Sequence, residues 1–204
     1  NYKSMHQIAS LKEKQPRFDP IISLSDWDFV PRNFPLHIAF QQASELASFK
    51  QEPGVWSIED AVILFDLVDK ELKERYPEQW EQIQSSESNK KLYERIVKTF
   101  SYTFQGVFPP LAAYIGGIAS QEAIKAITKK YMPINQYYYF ECSEVVSGLD
   151  PIQMQSEIMG FKEDRDISLR KCIGNSMLTK LASSRLFMVG SGAIGCELLK
   201  NYAM

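Results

Sequence analysis

The hexapeptide Gly190-Ser-Gly-Ala-Ile-Gly195, spaced G-x-G-x-x-G, constrains this chain more than any other feature. A short apolar run, Leu186-Phe-Met-Val189, leads into it, and a helix-like segment follows. The three glycines have distinct tasks. The first permits a tight turn, the second lets backbone N–H groups approach a phosphate, and the third lets the helix pack on the strand. Unpaired amides and partial positive charge at the helix start then face the anion. The rival reading is a glycine turn without a ligand, but the position between an apolar run and a helix favours a nucleotide. The pattern does not choose which nucleotide. An acidic residue that grips a ribose falls about 20 residues further on, and this chain stops at Met204, nine residues after Gly195. We therefore expect a truncated nucleotide-binding fold, most of whose machinery lies outside the chain. A start at Asn1 rather than Met fits an excised piece.

With 204 residues, 45% of them apolar, the chain can form one large domain or two small ones. A net charge of −2 and a pI near 5.8 leave no electrostatic footprint for nucleic acid or an anionic membrane. No signal peptide is evident, and no apolar run reaches membrane-spanning length. Cys142, Cys172 and Cys196 are too few and too scattered for a disulfide framework or a zinc site, which fits a reducing compartment. His6 and His37 have no partners at metal spacing and are read as structural or surface residues. Cys196 lies where a helix start can lower a thiol pKa, yet small buried packing is the expected role. Neither Cys142 nor Cys172 has an adjacent base, so neither is a candidate nucleophile. The run Tyr137-Tyr-Tyr-Phe140 has no interleaved basic residues and reads as strand core, not a base-stacking platform.

Along the chain, Lys3 to Lys12 is expected as a short helix and Ile21 to Val30 as an irregular, strand-like run before Pro31 and Pro35. Leu36, Phe40, Ala43 and Ala47 then share a helical face, ended by Gln51-Glu-Pro-Gly54. Ser57 is the expected cap of a second helix, with Asp60 at the third position and Ile58, Ala61, Phe65, Val68 and Leu72 as its stripe. Asp66–Lys70, Asp69–Lys73 and Glu71–Arg75 supply charge pairs on its outer side, and Pro77 stops it. After a polar loop from Gln82 to Asn89, Leu92, Ile96 and Phe100 mark a third helix. Residues 1–103 thus read as a small helical bundle with an irregular lead-in.

A second unit opens at Val107-Phe-Pro-Pro110, where proline can start a helix running to about Lys129. Gly116 and Gly117 cost that helix about 2 kcal/mol relative to alanine, which close approach to a neighbour would offset. Tyr137 to Cys142 reads as a buried strand. Residues 143–164 read as a polar, irregular linker. Ser168 to Ser184 reads as a helix broken at Gly174, and Leu186 to Val189 as the strand feeding the glycine turn.

Two blocks carry a family resemblance. Phe108-Pro-Pro-Leu-Ala-Ala-Tyr-Ile-Gly-Gly-Ile-Ala-Ser-Gln-Glu-Ala-Ile-Lys-Ala-Ile-Thr128 with Met132-Pro-Ile-Asn-Gln-Tyr-Tyr-Tyr-Phe140, and Leu186 to Asn201, closely resemble the ubiquitin-activating enzymes. The stretch Leu36-His-Ile-Ala-Phe-Gln-Gln42 is similar to the four-helix bundle inserted in that family's first adenylation domain. The resemblance implies an α/β fragment, mainly α: a helical bundle (1–103), the end of the inactive Rossmann-like, ThiF-type adenylation domain (104–145), a linker (146–164), and the truncated start of the active one (165–204).

By the same resemblance, Gly190, Gly192, Ala193 and Gly195 map onto a turn that binds ATP, used to adenylate the C-terminus of ubiquitin or a ubiquitin-like protein before transfer to a cysteine. The family's Arg-Tyr pair stands here as Arg165-Asp166. Magnesium, ribose and phosphate ligands and the thioester cysteine follow later in the family, so this chain carries no catalytic residue. The implied partners are the modifier protein and conjugating enzymes, with an intramolecular contact between the two adenylation domains, in cytoplasm and nucleus. The isolated chain is expected to be inactive, with residues 165–204 poorly ordered or prone to aggregate. Alternatives are a truncated dinucleotide-binding oxidoreductase and a non-catalytic helical interaction module.

Overall fold

The computed structural model describes residues 30–49, 55–134, 138–158 and 164–203. The expected helix at Lys3–Lys12, residues 21–29 of the expected run from Ile21 to Val30, His6, Tyr137 and the Gln51–Gly54 stop lie outside the described residues. The described chain is mainly helical, and no strand occurs among the described residues. Its elements are α1 (Asn33–Phe49), α2 (Ile58–Arg75), α3 (Pro77–Gln84), α4 (Glu87–Thr103), α5 (Pro109–Thr128), a 3-10 turn (Ser143–Val146), α6 (Pro151–Ile158), α7 (Ile167–Ala182) and α8 (Ala193–Ala203).

Helices α1 to α4 pack into the bundle that the period of the sequence indicates. Ser57 caps α2 as expected, its Oγ accepting from the Asp60 N–H at 3.2 Å. Ala61, Leu64, Val68 and Leu72 form the buried stripe of α2, while Ile58 stays 39% exposed. Ser86 caps α4 in the same manner through the Asn89 N–H at 3.1 Å. Pro77 ends α2 but also begins α3 as its first residue, so the expected stop is equally a start. Two of the expected surface pairs form, Lys73–Asp69 and Arg75–Glu71. Lys70 pairs with Glu74 rather than Asp66.

The core is shared by Phe34, Ile38, Ala39, Ala43, Leu64, Val68, Leu72, Ile83, Tyr93 and Val97. Burying each large side chain here contributes about 1.5–3 kcal/mol. The face that α1 buries matches the expected one at Ala43 but not at Leu36 and Phe40. Phe34 and Ile38 point inward, whereas Leu36 and Phe40 border a cavity of about 490 Å³ together with Phe100, Phe104, Tyr138 and Phe140.

A second core joins the bundle to the later helices through Trp56, Ala61, Tyr102, Val146, Met154, Cys172 and Ile173. Trp56 holds it together at a backbone φ of 55°. Its N–H donates to the Tyr102 carbonyl (3.1 Å), its indole donates to the Lys171 carbonyl (2.8 Å), and its ring stacks on Tyr102 at 5.1 Å. Those bonds offset the cost of a left-handed residue with a side chain.

Four expectations change. Residues 138–142 form no strand, and Phe140 is 47% exposed. Residues 186–189 likewise run as open chain, with Phe187 94% exposed. An isolated strand has no ladder partner for its amides, and a buried one needs sheet on both sides. Among the described residues neither neighbour is present. The part of the expected linker at 143–158 is more regular than its polar composition indicates: it holds the 3-10 turn and α6, which bury Val146 and Met154. Finally, α5 buries none of its residues, and nothing lies within 4 Å of a Cβ placed at Gly116 or Gly117. The close approach expected of those small residues is absent among the described residues.

Candidate functional site

The glycine turn sits at the N-terminus of α8, and its backbone distributes three roles over three glycines. Gly190 takes φ 93°, a conformation that L side chains rarely adopt, so it turns the chain from the 184–189 run toward the helix. A Cβ at Gly195 would stand 2.5 Å from the Gly190 carbonyl oxygen, so the first helical turn rides directly against the turn's start. Around Gly192 there is open space, with no heavy atom within 4 Å of a Cβ built there. Steric demand inside the chain therefore explains Gly190 and Gly195, but not Gly192.

The helix begins when the Cys196 N–H donates to the Gly192 carbonyl at 2.9 Å. The Cys196 thiol is exposed, contrary to the packing role expected of it, and donates to the Ser191 carbonyl at 3.2 Å. Both carbonyls are thus directed at the helix. The first-turn amides of α8 lack intrahelical acceptors and point away from it. This arrangement suits a phosphate oxygen. Gly190, Gly192, Ala193 and Gly195 all lie in this turn and the first turn of α8.

The remaining candidates fall elsewhere. His37 is buried as a structural residue. The Gln41 amide N–H donates to its Nε2 (3.0 Å), so Nδ1 carries the proton and faces the Tyr139 hydroxyl at 2.5 Å. Burial pushes its pKa down to about 4. Cys172 is buried under Gly106, and burial raises its thiol pKa to about 11; burial likewise raises Cys142. Neither is a nucleophile at neutral pH. Among the described residues no three His, Cys, Asp or Glu side chains gather to hold a metal ion. No helix is long and apolar enough to cross a membrane among them either. Arg165 is exposed and lies 3.6 Å from Asp166.

Sequence reasoning did not reveal the ion pairs that tie the segments together. Arg32 holds Glu141 at 2.9 Å and also reaches Glu144. Arg170 is buried and grips Asp164 with two hydrogen bonds, at 3.1 and 2.8 Å. Arg32 and Glu141 are 109 positions apart, and no spacing rule signals such a pair.

A glycine turn therefore leads into the N-terminus of α8, with open space at its central glycine. No family model matches the chain. It is 45% identical over 109 residues, 53% of its length, to ubiquitin-like modifier-activating enzyme 6 of Mus musculus, covering 10% of that protein. It is 33% identical over 187 residues, 91% of its length, to ubiquitin-like modifier-activating enzyme 1 of Mus musculus, covering 17% of it. Ubiquitin-activating enzyme E1 1 of Schizosaccharomyces pombe is 38% identical over 114 residues and is covered to 11%. The chain belongs to the ubiquitin-activating enzyme family, spanning between a tenth and a fifth of the length of these relatives.

Proposed function

We propose that this chain supplies one stretch of an enzyme that uses ATP to adenylate the C-terminus of ubiquitin or a ubiquitin-like protein and passes it to a cysteine. In this reading residues 1–103 are the helical bundle insert and 104–145 close an inactive adenylation domain. Residues 146–164 link it to the active one, which opens at 165–204 as the start of a Rossmann-like fold. Gly190, Gly192, Ala193 and Gly195 hold the phosphates of ATP. ATP, when bound, would donate its adenylyl group to the modifier's carboxylate, with pyrophosphate as the leaving group; the chain's own part is to bind and orient. Backbone amides at the start of α8 meet phosphate oxygens, and the Ser191 and Gly192 carbonyls stay turned toward Cys196. Magnesium, the modifier protein and conjugating enzymes belong to the complete enzyme, whose two adenylation domains contact one another.

The observation that carries this reading is the open space at Gly192. Gly192 has neither a close neighbour nor a positive φ, as is also true of Gly116, Gly117 and Gly148, but it alone of these stands in a G-x-G-x-x-G turn at a helix start. Its missing Cβ is explained by a ligand that approaches the backbone.

The test compares two variants of the full-length enzyme that carries this segment. Gly192→Ala is expected to leave the thermal midpoint unchanged while weakening ATP binding at least about tenfold, a loss of about 1.4 kcal/mol. Gly195→Ala is expected to lose both, because its Cβ meets backbone. Undiminished ATP binding and ubiquitin-dependent ATP–pyrophosphate exchange in Gly192→Ala would overturn the assignment. The 204-residue chain alone is expected to show no such exchange.

A further inference from the structure

Helix α7 changes character at one residue. Up to Ile173 it is anchored: Arg170, Cys172 and Ile173 are buried, and Lys171 accepts the Trp56 indole N–H through its carbonyl. Gly106 approaches so closely that a Cβ there would stand 2.4 Å from the Cys172 sulfur. Beyond the joint, Ser176 and Thr179 to Ala182 are exposed. The joint is Gly174, with φ 77° and ψ 169°, which breaks the helical ladder and leaves the next amides without intrahelical acceptors.

Glu157 of α6 meets that second start. One of its oxygens accepts from the Ser176 N–H at 2.9 Å; the other accepts from the Ser176 hydroxyl at 2.7 Å and from the Gln153 amide at 2.9 Å. The Ser176 amide is the main reason its carboxyl is held below the usual range. A carboxylate from a different helix thus does what an N-cap side chain does from within. Only glycine permits this closeness. A Cβ at position 174 would lie 2.7 Å from the Met154 sulfur and 2.8 Å from the Glu157 carboxylate.

This joint stands on the path to the glycine turn. Among the described residues, hydrogen bonds and ion pairs from 184–203 run only within that segment and back to the last turn of α7. The second half of α7 is therefore what orients the turn relative to the bundle, and Glu157 is the polar clasp on that half. We propose that Gly174 is a hinge and Glu157 its latch, together setting the direction in which the glycine turn is presented to the rest of the enzyme. The functional consequence rests on the nucleotide reading of the turn; the mechanical claim does not.

The test needs no nucleotide. In the 204-residue chain with Cys142, Cys172 and Cys196 replaced by alanine, spin labels are placed at Lys91→Cys in α4 and Lys180→Cys at the end of α7. The expected distance distribution is narrow in the parent and at least about twice as broad in Glu157→Gln, while amide hydrogen exchange across 58–103 stays unchanged. Ser176→Ala, which removes only the hydroxyl arm of the clasp, is expected to broaden it less and serves as the readout if Glu157→Gln does not fold. A parent distribution already broad, equal widths in parent and variants, or bundle exchange that rises with the loss of Glu157 would each overturn the latch. Failure of the nucleotide reading shows differently, as intact ATP binding by Gly192→Ala with the distance result unaffected.

Discussion

At the scale of single residues, the consequences follow from what each side chain touches. His37 is neutral in the fold, with a pKa near 4 against about 6.5 in an unfolded chain. The unfolded chain therefore takes up a proton first as pH falls. The stability His37 contributes is complete above about pH 6.5 and is lost progressively toward pH 4. Between pH 7.5 and pH 5 this is a loss of about 2 kcal/mol. Urea unfolding at the two pH values should show that difference in the parent chain and a smaller one in His37→Gln. Ser57 works through one hydrogen bond to the Asp60 amide. Ser57→Ala should cost about 1 kcal/mol, read as a lower urea midpoint with an unchanged denaturant slope. The glycines divide on the same basis. Gly174, Gly190 and Gly195 are required by backbone angle or close contact, while Gly116, Gly117 and Gly192 have open space around them.

Among elements, α2 was legible in the sequence, cap and period alike; α4 was legible as a helix, but its Ser86 cap was not, and of its expected stripe only Ile96 is fully buried, beside Tyr93 and Val97. Leu72 is fully buried between these two helices and the rest of the bundle. Leu72→Ala should destabilise the chain by about 2–5 kcal/mol, measurable by equilibrium denaturation, because the cavity it leaves is walled by rigid helices. The face of α1 was not legible. Leu36, Phe40 and Phe34, Ile38 both follow helical spacing, and only the position of α2 and α4 decides which pair is covered. The short helices α3 and α6 were hidden for a related reason. Eight-residue segments are held by contacts such as Ile83 and Met154, not by their own propensity. The expected strands at 138–142 and 186–189 have β-forming composition but no ladder partner among the described residues.

For the whole molecule, the distribution of apolar surface is the main finding. The bundle and the Trp56 core are covered, while Ile124, Ile127, Phe187, Val189, Ile194 and Tyr202 stand exposed along α5, the 184–190 run and α8. Exposed apolar groups of this extent mark surfaces that other protein covers. The 204-residue chain should therefore bind a hydrophobic dye in its native state and self-associate at micromolar concentration, as followed by sedimentation velocity. A second variant carrying Phe187→Ser and Ile127→Ser should sediment as a smaller species with the bundle intact.

The sequence by itself determined the starts of α2 and α5, the helical character of the bundle, the break at Gly174, the glycine spacing at 190–195 and the family, because these rest on interactions within a few residues or on matched strings. Only the tertiary structure decided which face of α1 is inside, that Arg32 reaches Glu141, that Glu157 caps the second half of α7, and that Gly192 alone of its motif's glycines has neither a close neighbour nor a positive φ. Those outcomes depend on which distant segments arrive at one point, and contact between residues a hundred positions apart leaves no local periodicity to read.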